Sequence, residues 1–289
     1  VRTGLLARAA AAAAAAALLA ACGATPGAPR PSASTPVPAR TTPAPARTTP
    51  MPARTTPAPA RTTPAPARTT PAPQAAVPSR LAGRDWTLIP TGRRVVALTF
   101  DAGANDAGLA AILATLRRTG VPATFFLTGN FVGAYPASAR AIAAGGYRIG
   151  DHTVSHPHLS QLGDAAVRAE ILAAARQIRA ATGADPAPLF RFPFGDASQR
   201  TIAVANRAGY VPVRWTVDTL GWQGRAGGSS AAAVRSRVLA ALQPGEIVLM
   251  HIGSNPDDGT TFDAAALPGL ISQLRARGYS FVTLDALVG

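Results

Sequence analysis

The stretch Val95-Val96-Ala97-Leu98-Thr99-Phe100-Asp101 indicates the fold class, because it is a short apolar run that ends in a carboxylate. Such a run is typical of a strand that is buried on both faces of a sheet, and we predict a strand over residues 95–100. A helical pattern follows over residues 107–119 and is closed by Gly120. A buried strand followed by a helix is the repeating unit of a parallel sheet.

The same alternation continues to the C-terminus. Further strands are predicted over residues 123–127, 147–150, 189–191, 211–217, 246–250 and 281–284, and further helices over residues 136–144, 164–182, 198–207, 231–242 and 264–277. These β/α repeats predict one α/β domain over residues 84–289, with a parallel sheet that is either open or closed as a barrel. In both forms the reactive side chains lie at the carboxyl ends of the strands.

Polar or aromatic side chains follow five of the predicted strands. They are Asp101 after the first, His152 and His156 after the third, Arg191 at the end of the fourth, Asp218 and Trp222 after the fifth, and His251 after the sixth. Arg191 alone would also suit a structural ion pair, and Trp222 alone would suit the core. A carboxylate, a histidine pair, an arginine and a further histidine at one rim predict metal-assisted hydrolysis.

Residues 151–158 hold three of the four histidines, namely His152, His156 and His158. One helical turn would bring His152 and His156 to the same face, with their Cβ atoms roughly 6 Å apart. Imidazole pairs bind Zn, Fe, Ni or Cu. The alternative is a polar loop whose histidines cap backbone groups, and for His158 a surface role is favoured over metal ligation.

Together these motifs resemble the polysaccharide deacetylase family, also called the NodB-homology domain or carbohydrate esterase family four. The resemblance runs from Arg93 to the C-terminus. It implies a distorted (β/α)7 barrel that hydrolyses N-acetyl groups on N-acetylhexosamine polymers. Cell-wall polysaccharide, either peptidoglycan or a chitin-like glycan, is the implied substrate.

The resemblance also implies the catalytic roles. Asp101 would be the general base that deprotonates the attacking water, and Arg191 would orient Asp101. His251 would be the general acid that protonates the departing amine, a role that suits an imidazole because it titrates near neutral pH. His152 and His156 would be ligands of a divalent metal, for which zinc is the favoured ion.

Four further residues are assigned to substrate binding. The resemblance implies that the backbone N–H of Phe194 stabilises the oxyanion, and that Trp222 and Leu249 line the pocket for the acetyl methyl group. Asp218 matches an acid of the fourth family motif and is expected to reach His251.

Two departures from the family pattern bear on activity. Ala102 stands where the family has the aspartate that is its third metal ligand, so the metal is expected to bind weakly; Asn105 or Asp106 is an alternative ligand. Gly221 stands where the family has an acid directly before Trp222. Members that act on muramic acid also lack the second aspartate. The alternative to an active deacetylase is therefore a catalytically weak or inactive glycan-binding module on the same fold.

Residues 1–22 resemble a bacterial lipoprotein signal. Arg2 and Arg8 precede an apolar run over residues 9–21, which is too short for an ordinary membrane span. The run ends at Cys22, the chain's single cysteine, which the resemblance implies is lipidated. We therefore expect a membrane-anchored protein that works outside the cytoplasm, and a plain signal peptide is the alternative.

Residues 23–83 are expected to form a disordered linker. Arginines recur every seven residues in a Pro-Ala-Arg-Thr-Thr-Pro-Ala repeat, at Arg40, Arg47, Arg54, Arg61 and Arg68. The proline in each repeat excludes a coiled coil, and the scarcity of large apolar residues excludes a core. A semi-rigid stalk that holds the domain away from the membrane is the predicted role.

Charge and cysteine content exclude some function classes. Residues 1–84 contain ten arginines and no acid, whereas residues 85–289 contain 18 arginines and 14 acids. The net charge of +14 therefore lies mostly on the tail, which argues against a nucleic-acid partner. A single cysteine excludes a disulfide framework. No protein partner is predicted.

Overall fold

The computed structural model describes residues 76–289, and their chain forms one parallel sheet covered by helices. The predicted signal segment 1–22, the lipidation site Cys22 and most of the predicted linker lie outside the described residues. Within the described part, no helix has the length and apolar character needed to cross a bilayer.

The sheet has eight strands. They are β1 (Val95–Ala102), β2 (Thr124–Leu127), β3 (Arg148–Asp151), β4 (Leu189–Phe190), β5 (Val211–Pro212), β6 (Val217–Asp218), β7 (Glu246–His251) and β8 (Ser280–Phe281). Their order is β5-β4-β3-β2-β1-β7-β6, with β8 beside β1, and all these pairs are parallel. This curled parallel sheet confirms the predicted α/β fold of the deacetylase type.

Strand β1 lies at the centre of the sheet, and all eight of its residues are buried. One edge of β1 is shared: its last four residues pair with β2, whereas Val95 and Val96 pair with β8. The other edge pairs with β7, in a register that sets Asp101 beside His251. The predicted apolar run is therefore the strand around which the domain is built.

Among the described residues, seven α-helices lie between strands and an eighth follows β8. They are α1 (Leu109–Thr119), α2 (Gly129–Ala134), α3 (Pro136–Ala144), α4 (Asp164–Thr182), α5 (Gln199–Arg207), α6 (Ala231–Ala241), α7 (Phe262–Ala276) and α8 (Asp285–Val288). The bounds of α3 and α4 are those predicted. Helix α2 was not predicted, because six residues show too little periodicity, but the hydroxyl of Thr128 marks its start by accepting the N–H of Phe131.

The prediction of one strand over residues 211–217 is wrong. Strand β5 pairs with β4 and strand β6 pairs with β7, so the chain crosses between two different edges of the sheet within this stretch. The residues Val211-Pro212-Val213-Arg214-Trp215-Thr216-Val217 are largely apolar and β-forming along their whole length. Local pattern therefore cannot show the crossing, which depends on partners elsewhere in the chain.

A segment before β1 bridges the two edges. Trp86 donates its N–H to Pro212 O and accepts the N–H of Arg214, whereas the N–H of Ile89 bonds to Gly245 O. Packing also begins earlier than the predicted domain start at residue 84. Leu81 is buried in the core, and Arg80 donates to the last carbonyl groups of the chain.

Candidate active site

The carboxyl ends of β1 and β7 form the centre of the site. Asp101 and His251 are direct neighbours in the strand register, and Thr99 and Leu249 are neighbours two residues earlier. Side chains two residues apart on a strand share a face, so these four project to the same side of the sheet. The structure thus brings the predicted base, the predicted acid and the predicted pocket residue Leu249 together.

Arg191 holds Asp101 in place. Its Nη1 donates to Asp101 Oδ1 at 2.7 Å and to the Thr99 hydroxyl at 2.9 Å. Its Nε and Nη2 donate to the backbone carbonyls of Val213 at 3.0 Å and of Arg214 at 2.8 Å. The side chain is fully buried, and its guanidinium lies 4.1 Å from the centroid of a phenylalanine ring. A planar guanidinium with four fixed partners gives the carboxylate one orientation.

Asp101 is ionised despite its burial. Burial acts to raise the pKa of its carboxyl, but the charge of Arg191, with smaller effects from His152 and His251, outweighs burial and holds that pKa below its ordinary value. Its second oxygen, Oδ2, lies 3.4 Å from His152 Nε2. An ionised carboxylate in a fixed orientation is what a general base requires.

The histidine loop after β3 differs from the expected helical turn. Residues 152–158 are irregular, with left-handed backbone at Thr153 and His156, so the helical explanation for the histidine spacing is wrong. The rings of His152 and His156 nevertheless meet edge to face, with centroids 4.7 Å apart. The loop is set locally, because Asp151 accepts the N–H of Thr153 and the Thr153 hydroxyl accepts the N–H of His156.

Glu170 of α4 fixes the same loop from outside. Its carboxylate accepts the N–H groups of Val154 and Ser155 at 2.9 and 3.0 Å, and the Ser155 hydroxyl at 3.0 Å. Sequence reasoning missed this residue, because a glutamate within a long helix is usually solvated. The interaction joins two segments that are sixteen residues apart.

The two imidazoles are suited to metal binding in their protonation state. Burial lowers the pKa of His152, although Asp101 opposes this effect. Burial, together with the charge of His152, lowers the pKa of His156 to about 4. His152 Nδ1 lies 2.9 Å from the carbonyl of Arg191, so Nδ1 carries the proton and Nε2 presents its lone pair. Both rings are therefore neutral near pH 7.

The donor set is nevertheless incomplete for a tightly held cation. Within residues 76–289, no group of three or more His, Cys, Asp or Glu side chains is arranged to hold a metal ion. Ala102 is buried in the apolar core. The alternative ligands are engaged elsewhere: Asn105 Oδ1 accepts the N–H groups of Ala107 and Ser254, and Asp106 accepts the Ser138 hydroxyl. The described residues do not fit a three-ligand zinc site.

A carboxylate that the sequence did not indicate lies beside His251. Asp263, in the first turn of α7, accepts the backbone N–H of His251 at 2.8 Å and the Thr219 hydroxyl at 2.7 Å. Its Oδ2 lies 3.9 Å from His251 Nδ1. Burial raises the pKa of Asp263, and His251 and the two hydrogen bonds oppose that effect. Asp218, the acid expected to reach His251, instead accepts the N–H of Leu220.

Two aromatic rings stand out from the surface on either side of the site. Phe194 is 55% exposed and Trp222 is 47% exposed, which excludes a core role for Trp222. Phe194 contacts His156 edge to face, with centroids 4.5 Å apart, and Trp222 lies 6.3 Å from His251. His158 takes the predicted surface position, where it stacks on Phe194 at 4.1 Å.

Backbone strain is concentrated on the loops that carry the site. Four described residues other than glycine have positive φ, namely Thr153, His156, Phe194 and Leu220. Each lies in a loop that holds a predicted site residue. Left-handed backbone is uncommon for such residues and costs on the order of 1–3 kcal/mol each, and such strain often clusters at functional sites.

Comparison with known proteins shows the family of the chain. A family model for polysaccharide deacetylase matches residues 89–213. The chain is 38% identical over 205 residues to a chitooligosaccharide deacetylase of Bradyrhizobium sp. (strain ANU 289), a match that covers 68% of this chain and 92% of that protein. The chain belongs to the polysaccharide deacetylase family. Its class of activity is therefore hydrolytic deacetylation of carbohydrate, and deacetylases of this family are generally metal-dependent.

The chain is also similar to two further proteins, a named deacetylase and a pseudoenzyme. It is 33% identical over 198 residues to a peptidoglycan-N-acetylglucosamine deacetylase of Bacillus cereus (strain ATCC 14579), which covers 68% of this chain and 70% of that protein. Among solved structures it is similar to a CE4 family pseudoenzyme from Bacillus anthracis, with 28% identity, a TM-score of 0.62, and coverage of 68% of this chain and 66% of that chain. A mutant of that pseudoenzyme has restored enzymatic activity.

Proposed function

We propose that this deacetylase removes N-acetyl groups from the N-acetylhexosamine residues of cell-wall glycan, outside the cytoplasm. The observation that carries the proposal is the buried, ionised Asp101, which is oriented by Arg191 and neighbours His251 in the strand register. A base and an acid on one face of the sheet supply the two proton transfers that amide hydrolysis needs.

The reaction proceeds by attack of water on the acetyl carbonyl. Asp101 removes a proton from the water while the oxygen of the water bonds to the carbonyl carbon. The backbone N–H of Phe194 donates to the oxygen that becomes negative. His251 then gives a proton to the nitrogen as the carbon–nitrogen bond breaks, which releases acetate and leaves a free amine on the sugar.

Substrate positioning falls to the exposed rings and the strand residues beneath them. Phe194 and Trp222 offer apolar faces against which the C–H groups of a sugar ring pack, on opposite sides of the reacting centre. Leu249 is buried beside Thr99, two residues before Asp101 and His251 in the strand register. It supplies the apolar contact for the acetyl methyl group.

The test is acetate release from purified peptidoglycan and from N-acetylated chitooligosaccharides, with metal content measured in the same preparation. We expect release by the unmodified chain and a fall of about 100-fold to 10,000-fold in Asp101→Asn. Asp164→Asn is the matched control, because Asp164 is an exposed acid that pairs with Arg200 on the surface. Absence of release from both substrates, with and without added zinc or cobalt, would rule the proposal out.

A glycan-binding module without turnover is the second candidate. It is favoured by Ala102, by the incomplete metal site, and by the likeness to a pseudoenzyme. Retention of the chain on insoluble glycan, with no acetate released, is the result that this candidate requires. Any measurable rate that depends on Asp101 excludes it.

We further propose that Cys22 carries a lipid and that the Pro-rich repeat spans the distance from the membrane to the wall. Support comes from the apolar run that ends at Cys22 and from the repeat that follows it. Expression of the full chain and of Cys22→Ala, followed by membrane fractionation, tests this. We expect the variant to leave the membrane fraction, and equal membrane recovery of both chains would contradict lipid anchoring.

A further inference from the structure

Position 221 and position 263 are linked by a steric exclusion in this chain. A Cβ added to Gly221 would overlap the carboxylate of Asp263, with the Asp263 Cγ 2.6 Å away. Contacts under 3.0 Å are not found for real Cβ atoms, and the overlapped group is a carboxylate held by two hydrogen bonds. Asp263 can therefore occupy its observed position only because residue 221 has no side chain.

The geometry points to Asp263 as the positioning residue for His251, in the space that an acid at position 221 would otherwise fill. Its Oδ2 lies 3.9 Å from His251 Nδ1, and the same oxygen accepts the N–H of His251. The carboxylate therefore fixes the backbone of His251 and faces its ring. This inference rests on the proposed function of His251 as the general acid.

The orientation of the ring assigns the proton positions. His251 Nδ1 is buried, whereas the side chain as a whole is 29% exposed, so Nε2 is the nitrogen available to a substrate. A separation of 3.9 Å is an electrostatic contact rather than a hydrogen bond, and such contacts often tighten in the substrate complex. After Nε2 gives up its proton, the neutral ring keeps the proton on Nδ1, where Asp263 faces it.

Asp263 is held in its acceptor form by donors on both oxygens. Oδ1 accepts the Thr219 hydroxyl, and Oδ2 accepts a backbone N–H. An ionised carboxylate can only accept hydrogen bonds, so this pattern suits the charged group. Arg237 of α6 adds support by donating to the carbonyl of Thr219 at 3.2 Å.

Other charged groups face the same pair and are unchanged by the proposed substitutions. Asp101 from β1 and the imidazoles of His152 and His156 face His251, and Asp218 from β6 faces Asp263. A shift that appears on loss of the Asp263 charge alone is therefore attributable to that charge. The exposed acid Asp164 on α4 provides a charge-matched control.

The test follows the His251 imidazole by nuclear magnetic resonance in the full chain, labelled with nitrogen-15 histidine. The chain has four histidines, so few signals have to be assigned. We expect the titration midpoint of His251 to move to lower pH by about one unit in Asp263→Asn. Asp164→Asn should leave it in place. The double variant Gly221→Asp/Asp263→Ala places a carboxylate at position 221 instead of position 263. It should bring the titration midpoint of His251 most of the way back to that of the unmodified chain.

Two outcomes would overturn the inference. One is a folded Asp263→Asn chain whose His251 titrates at the same pH as in the unmodified chain. The other needs no variant: in the unmodified chain above the titration midpoint, the neutral ring should carry its proton on Nδ1, and a proton on Nε2 contradicts the assignment. The second measurement stays decisive if the variants fail to fold.

Kinetics separate this inference from the proposed function. In Asp263→Asn we expect kcat for acetate release to fall about 10-fold to 100-fold with KM within about twofold, and the alkaline limb of the pH profile to move to lower pH. A purely structural role would lower the active fraction without moving that limb. If the unmodified chain releases no acetate, the proposed function fails, whereas the titration still decides the role of Asp263.

Discussion

The base side and the acid side of the cleft both contain a buried carboxylate, but the two carboxylates are held differently. Asp101 contacts a buried guanidinium, and its pKa is lowered although burial alone would raise it. Asp263 has no guanidinium within hydrogen-bonding distance among the described residues, and burial raises its pKa. The comparison shows that burial by itself does not decide the charge of a carboxyl group, whereas its partners do.

The two sides also differ in how many groups hold the key side chain in place. Arg191 needs a carboxylate, a hydroxyl and two backbone carbonyls at fixed positions, so several elements must all be present. His251 has a single carboxylate, Asp263, which accepts its backbone N–H and lies 3.9 Å from its Nδ1, so both contacts come from α7 rather than from the loop that contains Gly221. We therefore expect the acid side to tolerate a move of its carboxylate to another element more readily than the base side does.

The largest expected effect is on the base side. Arg191→Met would leave Asp101 buried without its cation, so we expect a loss of about 3–5 kcal/mol in unfolding free energy. Urea unfolding followed by circular dichroism measures it. Arg200→Met is the control, because that exposed arginine pairs with Asp164 at the surface, where such pairs contribute about 0–1 kcal/mol. Equal losses in the two variants would remove the contrast between the sides.

The next effect concerns the position beside the base. Position 102 is where the family has its third, aspartate ligand, so we expect Ala102→Asp to raise zinc affinity in calorimetry about 10-fold to 100-fold. Because Ala102 is buried in the core, a cost in stability should accompany the gain. Ala102→Asn tests the charge, and unchanged zinc affinity in Ala102→Asp would contradict the assignment of this position.

A third prediction tests Glu246, a buried carboxyl at the opposite end of β7 from His251 that has no ion pair among residues 76–289. Burial raises the pKa of Glu246 from 4.5 to about 7. Its contribution to the free energy of unfolding is therefore fully present below pH 4.5 and is lost as the pH rises through 7. Glu246→Gln should therefore match the unmodified chain at pH 4 and exceed it by about 1–2 kcal/mol at pH 8. Thermal unfolding at both pH values measures the difference, and an equal gain at pH 4 would refute the explanation.

The smallest effect is expected from the ring beside the acid. Trp222→Ala should raise KM for chitooligosaccharides roughly fivefold, equivalent to about 1 kcal/mol of lost packing against the sugar, with kcat little changed. Trp222→Phe keeps an aromatic face and serves as the control. A fall in kcat at constant KM would instead show that the ring acts on His251.

Much of the fold was predictable because its signals are local. The apolar run of β1, the bounds of α3 and α4, and the position of Asp101 at a strand end all follow from periodicity and from residues that end helices. The division of residues 211–217 into β5 and β6 did not follow, because each half pairs with a different edge of the sheet.

The sequence alone placed the candidate side chains after the apolar runs, because the length of such a run shows about where most of these strands stop. Only the tertiary structure decided how those side chains are held. The irregular histidine loop depends on Glu170, and the carboxylate beside His251 comes from Asp263, twelve residues further along the chain. The loop and the carboxylate both depend on contacts between separate elements. Hydrogen bonds and charges act over distances in space, and the spacing of residues in the sequence does not show those distances.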